Sequence, residues 1–176
     1  GLLSSRLTLE GPIVKNKASF IVSARRSYLT QLLQLFNDDN SLDLNPIYFY
    51  DAIAKFNFSP NTRNRFYLSG YLSKDNADLD DISINWTNSM LSFRWNHVIS
   101  SKLFSNLTLT GSDYLHVHNI LSFDYLNIRA KIQNAALKYD LFFYPRDKLK
   151  LNFGLSTNYQ VISPLELNVN DSAKYF

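Results

Sequence analysis

The segment from Leu149 to Gln160, LKLNFGLSTNYQ, alternates between apolar and polar residues with a period of two. Its leucines, Phe153 and Tyr159 fall on one side, and its lysine, asparagines, serine and Gln160 fall on the other. A period of two is that of a β-strand, whose successive side chains point to opposite faces of a sheet. The apolar face of such a strand must be covered, either by a protein core or by lipid.

Alternation of this kind recurs along the chain and predicts an all-β, antiparallel fold of about eight meandering strands. The predicted strands are Leu3–Glu10, Ala18–Arg26, Tyr48–Phe58, Arg65–Ser73, Ile84–His97, Leu103–Tyr114, Gln133–Phe143 and Leu149–Ile162. Most have nine to fourteen residues, whereas strands of globular sheets most often have about five or six. A tilted strand needs about 9–11 residues to cross a bilayer, so these lengths favour membrane-spanning strands.

The connections between the predicted strands alternate in length. Short turn signals lie at Val14–Lys17, Ser59–Asn64, Ile99–Lys102 and Tyr144–Lys148. Longer polar links lie at about residues 28–46, 74–83 and 115–123 and after Ser163. Leucines at helical spacing predict a short helix at Tyr28–Phe36, inside the first long link. Short periplasmic turns and long extracellular loops are typical of a transmembrane β-barrel in an outer membrane.

Composition excludes several classes of protein. The chain has no cysteine, so it can form neither a disulfide framework nor a cysteine-based metal site. No apolar run approaches the roughly 18–20 residues of a spanning helix. The net charge of +3 is dispersed and forms no basic stripe, so nucleic acid is not an expected partner. Because the chain begins at Gly1 without an initiator Met or a signal peptide, we expect a processed product or a piece of a longer protein.

In a transmembrane barrel, polar side chains face the lumen and apolar side chains face lipid. The predicted lumen-facing residues are Asp51, Lys55, Asn57, Arg94, Asn96, Lys138, Asp140, Lys150, Asn152 and Asn158. Aromatic residues near strand ends predict girdles at the two membrane interfaces. The predicted girdle residues are Tyr48, Phe58, Trp86, Trp95, Tyr114, Tyr139, Phe143, Tyr144 and Tyr159. A soluble antiparallel sandwich also alternates and is the alternative fold.

Four segments carry a resemblance to a known family. The first is LTLEGPIVKNKASFIVSARRSYLTQLL, Leu7 to Leu33, with EGPI followed by a charged turn and SFIVSARRSY. It resembles the early barrel of TonB-dependent outer-membrane receptors of the type common in Bacteroidota. Three further segments agree in order: YFYDAIAKFNFSPNTRNRFYLSGYLSKD, SFRWNHVISSKLFSNLTLTGSDY and ALKYDLFFYPRDKLKLNFGLSTNYQVISP. The resemblance covers nearly the whole chain.

The resemblance implies a barrel of about 22 strands whose lumen is filled by a separate plug domain. Residues 1–176 would then be a partial barrel, about its first third, without the plug. The implied function is that of the wall of an energy-coupled nutrient importer in the outer membrane of a Gram-negative bacterium. The implied partners are outer-membrane lipids, the protein's own plug and remaining barrel, TonB through the plug, and the barrel-assembly machinery during folding. A lipoprotein lid is a further candidate partner.

Two other functional interpretations stay open. Eight strands close a small barrel, and the chain ends in AKYF with a terminal Phe176, so a complete eight-stranded barrel with a structural or adhesive role is one alternative. Against it, the segment LNVNDSA before this end alternates poorly. A partly folded barrel held by the assembly machinery is the other alternative, since unpaired strand edges are unstable in lipid.

The sequence predicts no enzyme, no metal site and no cofactor. His116 and His118 point the same way on a strand, but no third ligand lies nearby in the sequence, and a metal site needs three or four. The acidic segments Asp75–Asp81 and Asn37–Asn40 lack the pattern of a calcium-binding loop and are expected to be solvated loops. No grouping of a nucleophile, a histidine and an acid is defined by spacing.

Overall fold

A computed structural model describes residues 3–30, 32, 47–79, 81–120 and 126–169. Within these ranges the chain forms one antiparallel sheet of eight strands, each paired with the next along the chain. The strands are β1 Ser4–Val14, β2 Ala18–Ser27, β3 Ile47–Asn61, β4 Asn64–Leu79, β5 Ile82–Ser100, β6 Leu103–Ile120, β7 Leu126–Arg146 and β8 Leu149–Val169. The prediction of an all-β meander of eight strands is confirmed.

The strands extend further than predicted at the ends that carry the long links. β4 and β5 stay paired up to Leu79 and Ile82, so the loop predicted at residues 74–83 is mostly strand. β6 likewise continues to Ile120, and β8 continues past Ser163 to Val169. Backbone pairing continues beyond the apolar segments, and there the apolar side chains change to the opposite face, as Ile84 on β5 and Ile128 and Ile132 on β7 do. The predicted strands end close to this change of phase, whereas the observed strands continue through it.

The four short turns are tight and each lies beside an irregularity in pairing. The register shifts between Pro12 and Val14, Phe58 and Asn61, Val98 and Ser100, and Phe143 and Arg146. In the first turn Asn16 has a φ of 61°, a left-handed conformation that asparagine tolerates well. In the second turn the Asn61 side chain accepts hydrogen bonds from the backbone N–H groups of Arg63 and Asn64, at 3.0 and 2.8 Å.

A single helical turn follows β2. Leu29, Thr30 and Leu32 are helical, and the Leu32 N–H donates to the Tyr28 carbonyl oxygen at 3.0 Å. The remainder of the predicted helix up to Phe36 lies outside the described residues. No helix within the described ranges is both long and apolar enough to span a membrane.

The sheet is a single layer without an apolar core. Among the described residues, Ala18 is the one apolar side chain that is buried. Large apolar side chains are exposed along the sheet, including Leu9, Leu72, Leu91 and Leu155. The described residues form no second sheet, so the sandwich alternative does not describe this fold. The sheet is also open, since β1 and β8 are its two edges and share no strand pairing within the described ranges.

Candidate functional site

One face of the sheet, here called the apolar face, is a continuous apolar surface. Residues paired across neighbouring strands share a face, so the register gives rows that cross the whole sheet. The central row is Leu9, Val22, Ala54, Gly70, Leu91, Gly111, Ala135 and Tyr159. The next row towards the short turns is Gly11, Phe20, Phe56, Leu68, Phe93, Leu109, Leu137 and Thr157.

On β7, the height of the apolar segment is close to that of the apolar band of outer-membrane barrels. On β7 the apolar face is apolar from Phe143 to Ala135 and then changes to Gln133 and Lys131. Nine residues of strand span about 30 Å at ~3.3 Å per residue. With the tilt of about 40° usual in barrels, the height across the membrane is about 23 Å, close to the apolar band of about 25 Å in outer-membrane barrels.

Aromatic rings border the apolar face near the short turns. Phe66 stacks on Phe58 and on Trp95, with ring centroids 6.3 and 6.0 Å apart. The Trp95 Nε1–H donates to the Asn64 side-chain oxygen at 3.0 Å. These rings are apolar over their bodies, and the indole has a polar partner at its edge, which suits the boundary between hydrocarbon and water.

The predicted girdle residues divide between the two faces. The register places these on the apolar face: Tyr48, Phe58, Trp95, Tyr139, Phe143 and Tyr159. It places Trp86 and Tyr114 on the opposite face, where they pair with His116 and Ile132. Tyr144 also lies there, since its ring meets Phe104 edge-on at 5.8 Å.

The register therefore separates Trp86, Tyr114 and Tyr144 from the other six predicted girdle residues, and the girdle itself stays a prediction. The sequence contained the necessary signal, because all three have even numbers on strands whose apolar-face residues are odd. The girdle prediction rests on nearness to a strand end and does not use the alternation.

The other face, here called the polar face, carries every predicted lumen-facing residue. The register and alternation place together Asp51, Lys55, Asn57, Arg94, Asn96, Lys138, Asp140, Lys150, Asn152 and Asn158. Their lumen position itself stays a prediction, because the sheet is open.

Two charge pairs organise the polar face. Arg25 Nη2 lies 2.6 Å from Asp51 Oδ2, the Arg25 Nε–H donates to the same oxygen at 2.7 Å, and the guanidinium lies 4.9 Å from the Phe49 ring centroid. Lys138 Nζ lies 3.1 Å from Asp140 Oδ2. Asp140 pairs with Gly154, and its Oδ1 lies 3.1 Å from where a Cβ at residue 154 would be. The glycine leaves room for this carboxylate.

Rings cluster on the polar face beyond the height of the apolar face. The Trp86 and His116 rings stack with centroids 5.2 Å apart, and the His116 and His118 rings are 4.1 Å apart. Burial, and secondly the neighbouring His118, lower the pKa of His116. His116 Nε2 is buried and has no hydrogen-bond partner among the described residues, as is the case for the side-chain oxygens of Asn96 and Asn134. All three unpartnered atoms belong to residues of the polar face.

The acidic segment predicted as a loop belongs mainly to β4. Asp75 faces Trp86 across the β4–β5 pair, and burial, followed by the charge of Asp51, raises the pKa of Asp75 against the opposing effect of Arg25. The Asn76 side-chain amide donates to Asp78 at 2.9 Å. Within the described ranges, no three His, Cys, Asp or Glu side chains gather in a way that could hold a metal ion. Asn37–Asn40 lies outside those ranges.

The residues at the outer limit of the apolar face, which is its border on the side away from the short turns, were not predicted as site residues. The adjacent pair Arg25-Arg26 places one guanidinium on each face of β2. Lys74 follows Leu72, the last apolar residue that β4 places on the apolar face. The signal was present in the sequence as the one adjacent pair of basic residues.

No protein-family model, no curated protein and no solved structure matches this chain. The likeness to TonB-dependent receptors therefore rests on the sequence segments quoted above. The all-β antiparallel sheet is compatible with transmembrane strands and with an outer-membrane β-barrel.

Proposed function

We propose that this chain forms part of the barrel wall of an energy-coupled nutrient importer in a Gram-negative outer membrane. The observation that carries the proposal is the uncovered apolar face, which crosses all eight strands. In water, an apolar surface of this extent would drive association. In lipid, the same surface requires no second layer, and an antiparallel sheet satisfies its backbone groups through its neighbouring strands.

The open edges favour a larger barrel over a small closed one. β8 is exposed at every position from Leu149 to Ile162, on both faces. Its long unpaired edge would leave backbone N–H and C=O groups unsatisfied in hydrocarbon, at a cost of several kcal/mol each. Further strands beside β1 and β8 would remove this cost. A complete eight-stranded barrel would have to join these two strands, and a client of the assembly machinery would have its edges held by that machinery.

The importer is supported by the resemblance of the four segments and by the polar face. Charged side chains such as Lys55, Arg94 and Lys150 are spread over that face. In a plugged barrel they would line the lumen and could hydrogen-bond a plug. The complete protein would bind a scarce nutrient, such as a glycan, a peptide or a metal chelate, at its outer side. TonB would then pull on the plug with energy from the proton gradient of the inner membrane.

Intact-mass measurement of the protein extracted from outer membranes tests this proposal. We expect a mass several times the 20.4 kDa of this chain, and nutrient uptake that is lost when TonB is deleted. A mass near 20.4 kDa would contradict the importer and leave the small barrel or the assembly client. A large mass with uptake independent of TonB would support a barrel but contradict energy coupling.

A further inference from the structure

Two cations and a tyrosine lie side by side at the outer limit of the apolar face. Arg26 pairs with Tyr50, and Tyr50 pairs with Lys74, so the three residues form one row on β2, β3 and β4. Below them on the same face lie Ala24, Ala52 and Leu72. The row therefore marks the point where the apolar surface ends and charge begins.

Neither of these two cations has a carboxylate partner among the described residues. Arg25 is paired with Asp51 on the polar face, and Lys131, on the apolar face, lies 3.1 Å from Asp113. Arg26 and Lys74 make no ion pair with any residue that the structure describes. Arg26 is exposed and Lys74 is partly exposed, so both are available to an external anion.

Apolar depressions lead away from this row. A groove of about 400 Å³ is lined by Leu7, Ala24, Arg26, Tyr50 and Ala52, and also by Ser5, Arg6, Arg25 and Asp51. It shares Ala52 with a second depression of about 520 Å³. Alanine and glycine, including Ala54, Gly70 and Gly111, leave space there beside larger side chains, and Asp113 is among the lining residues. The lining is thus mainly apolar, and Arg26 supplies a positive charge at one end of the path.

We propose that Arg26, Tyr50 and Lys74 bind the phosphate of a membrane lipid whose acyl chain lies in these depressions. Neighbouring strands are about 4.8 Å apart, so the Cα atoms of Arg26 and Lys74 are separated by about 10 Å, and both long side chains reach a common anion between them. Guanidinium binds phosphate through a fork of N–H donors, the ammonium adds a point charge, and the Tyr50 hydroxyl can donate a further hydrogen bond. The inference rests on the proposed placement of the apolar face in lipid.

A lipid fits this surface better than a free anion. A free phosphate would use the cations but not the apolar groove beneath them. A lipid presents an anionic head attached to an apolar chain, which complements both parts of the surface. Each cation near a membrane surface contributes about 1 kcal/mol towards anionic lipid, which corresponds to about a fivefold change in lipid retention.

The test is native mass spectrometry of the membrane protein that contains this chain, released from nanodiscs of phosphatidylglycerol and phosphatidylcholine. We expect preferential retention of phosphatidylglycerol. Arg26→Gln and Lys74→Gln should each reduce this preference about fivefold, and the double variant about 30-fold. The matched control is Arg65→Gln, which removes one exposed charge from β4 on the polar face and should leave the preference unchanged. Equal retention by wild type and double variant would overturn the proposal, as would an equal loss in the control.

Two further measurements identify the occupant, and a third tests the membrane placement. Inorganic phosphate at millimolar concentration should not displace the lipid, and full displacement would reduce the site to one for free anions. A photoreactive group in place of Leu72 should cross-link to lipid, and cross-linking to a polypeptide would overturn the proposal. Quenching of Trp95 by brominated acyl chains reports separately on membrane placement. Quenching without phosphatidylglycerol preference refutes the lipid site alone, whereas loss of quenching refutes the membrane placement on which both proposals rest.

Discussion

Trp86 and Trp95 belong to the same strand, β5, but lie on opposite faces of the sheet. Trp95 shares the apolar face with Phe66 and Phe93, whereas Trp86 faces Asp75 on one neighbouring strand and His116 on the other. Whether a residue of β5 has an odd or an even number decides on which face of the sheet its indole lies. At the scale of the residue, the two faces can therefore be tested with the chain's own two tryptophans.

The first prediction uses variants in which one of these two tryptophans is replaced. Trp95→Phe should remove a component of the fluorescence that brominated acyl chains quench and that iodide in the water does not reach. Trp86→Phe should remove a component with the reverse pattern. Fluorescence of the protein in lipid vesicles measures both. Equal quenching of both indoles by brominated lipid would contradict the division into an apolar and a polar face.

The second prediction concerns Asp75, which lies beyond the outer end of the apolar face. Burial, and secondly Asp51, raise the pKa of Asp75, so the folded state holds this proton more tightly than the unfolded state. The ionised carboxylate therefore opposes folding at neutral pH, and this cost is released as the pH falls through the folded-state pKa. Asp75→Asn should raise the free energy of unfolding at pH 7.

Urea unfolding in vesicles measures this difference. The advantage of Asp75→Asn should disappear at about pH 3, below the ordinary aspartate pKa, where the wild-type side chain is also neutral. Asp147→Asn, in the exposed turn after β7, controls for the loss of one negative charge. An advantage of Asp75→Asn that persists unchanged at low pH would show that charge is not its cause.

At the scale of the element, backbone pairing extends beyond the apolar segment of a strand, as β6 shows. β6 is apolar on the apolar face at Leu107 and Leu109, reaches Asp113 two positions beyond Gly111, and continues as paired strand to Ile120. Beyond Asp113, Leu115 and Val117 lie beside Lys131 and Arg129 of β7, while the pairing with β5 and β7 continues. The length of a strand in this sheet therefore exceeds the length of its apolar segment.

The third prediction compares two neighbours on β6. Leu109 is 40% exposed on the apolar face, and Thr110 lies on the polar face opposite Ser92. Leu109→Arg should lower the free energy of unfolding by about 2–4 kcal/mol, the cost of a cation facing the middle of a bilayer. Thr110→Arg should cost less than about 1 kcal/mol, because its side chain would face polar surroundings.

Unfolding from lipid vesicles in urea gives both values. In water, an exposed leucine can be replaced by arginine at little cost, within about 0.5 kcal/mol. A small effect for Leu109→Arg would therefore contradict a lipid-facing surface.

At the scale of the whole molecule, the candidate functions differ in what covers the two open edges of the sheet. β1 and β8 have unpaired edges within the described ranges, and β8 extends for 21 residues. Either further strands cover these edges or the two edges join. The absence of cysteine from the chain allows the two cases to be distinguished by introducing pairs of cysteines.

The fourth prediction is that β1 and β8 do not cross-link. Tyr159→Cys should form a disulfide with Ala135→Cys, because these residues are paired across β7 and β8 at a distance that a disulfide can bridge. Tyr159→Cys combined with Leu7→Cys, Leu9→Cys or Gly11→Cys should form none. Non-reducing electrophoresis of the protein in outer membranes measures the outcome. A disulfide between β1 and β8 would support the closed eight-stranded barrel.

The sequence by itself determined the strands and the face on which most residues lie. Alternation depends only on the chain direction within each strand, so Asp51, Lys55 and Lys138 could be assigned to one face without any knowledge of their neighbours. The same reasoning, applied to every residue, would also have placed Trp86 correctly. The full extent of the strands was missed where the alternation changes phase, because on β7 Ile128 and Ile132 lie on the face opposite to Ala135 although the strand continues.

Only the tertiary structure decided which residues meet. Register results from backbone hydrogen bonds between strands and from irregularities such as the shift between Pro12 and Val14, neither of which the local alternation reveals. Pairing brought Arg25 to Asp51 across 26 residues of sequence, and it aligned Arg26, Tyr50 and Lys74 in one row. The pattern along a strand is local, whereas the ion pair and the lipid-binding row depend on contacts between strands that are far apart in the sequence.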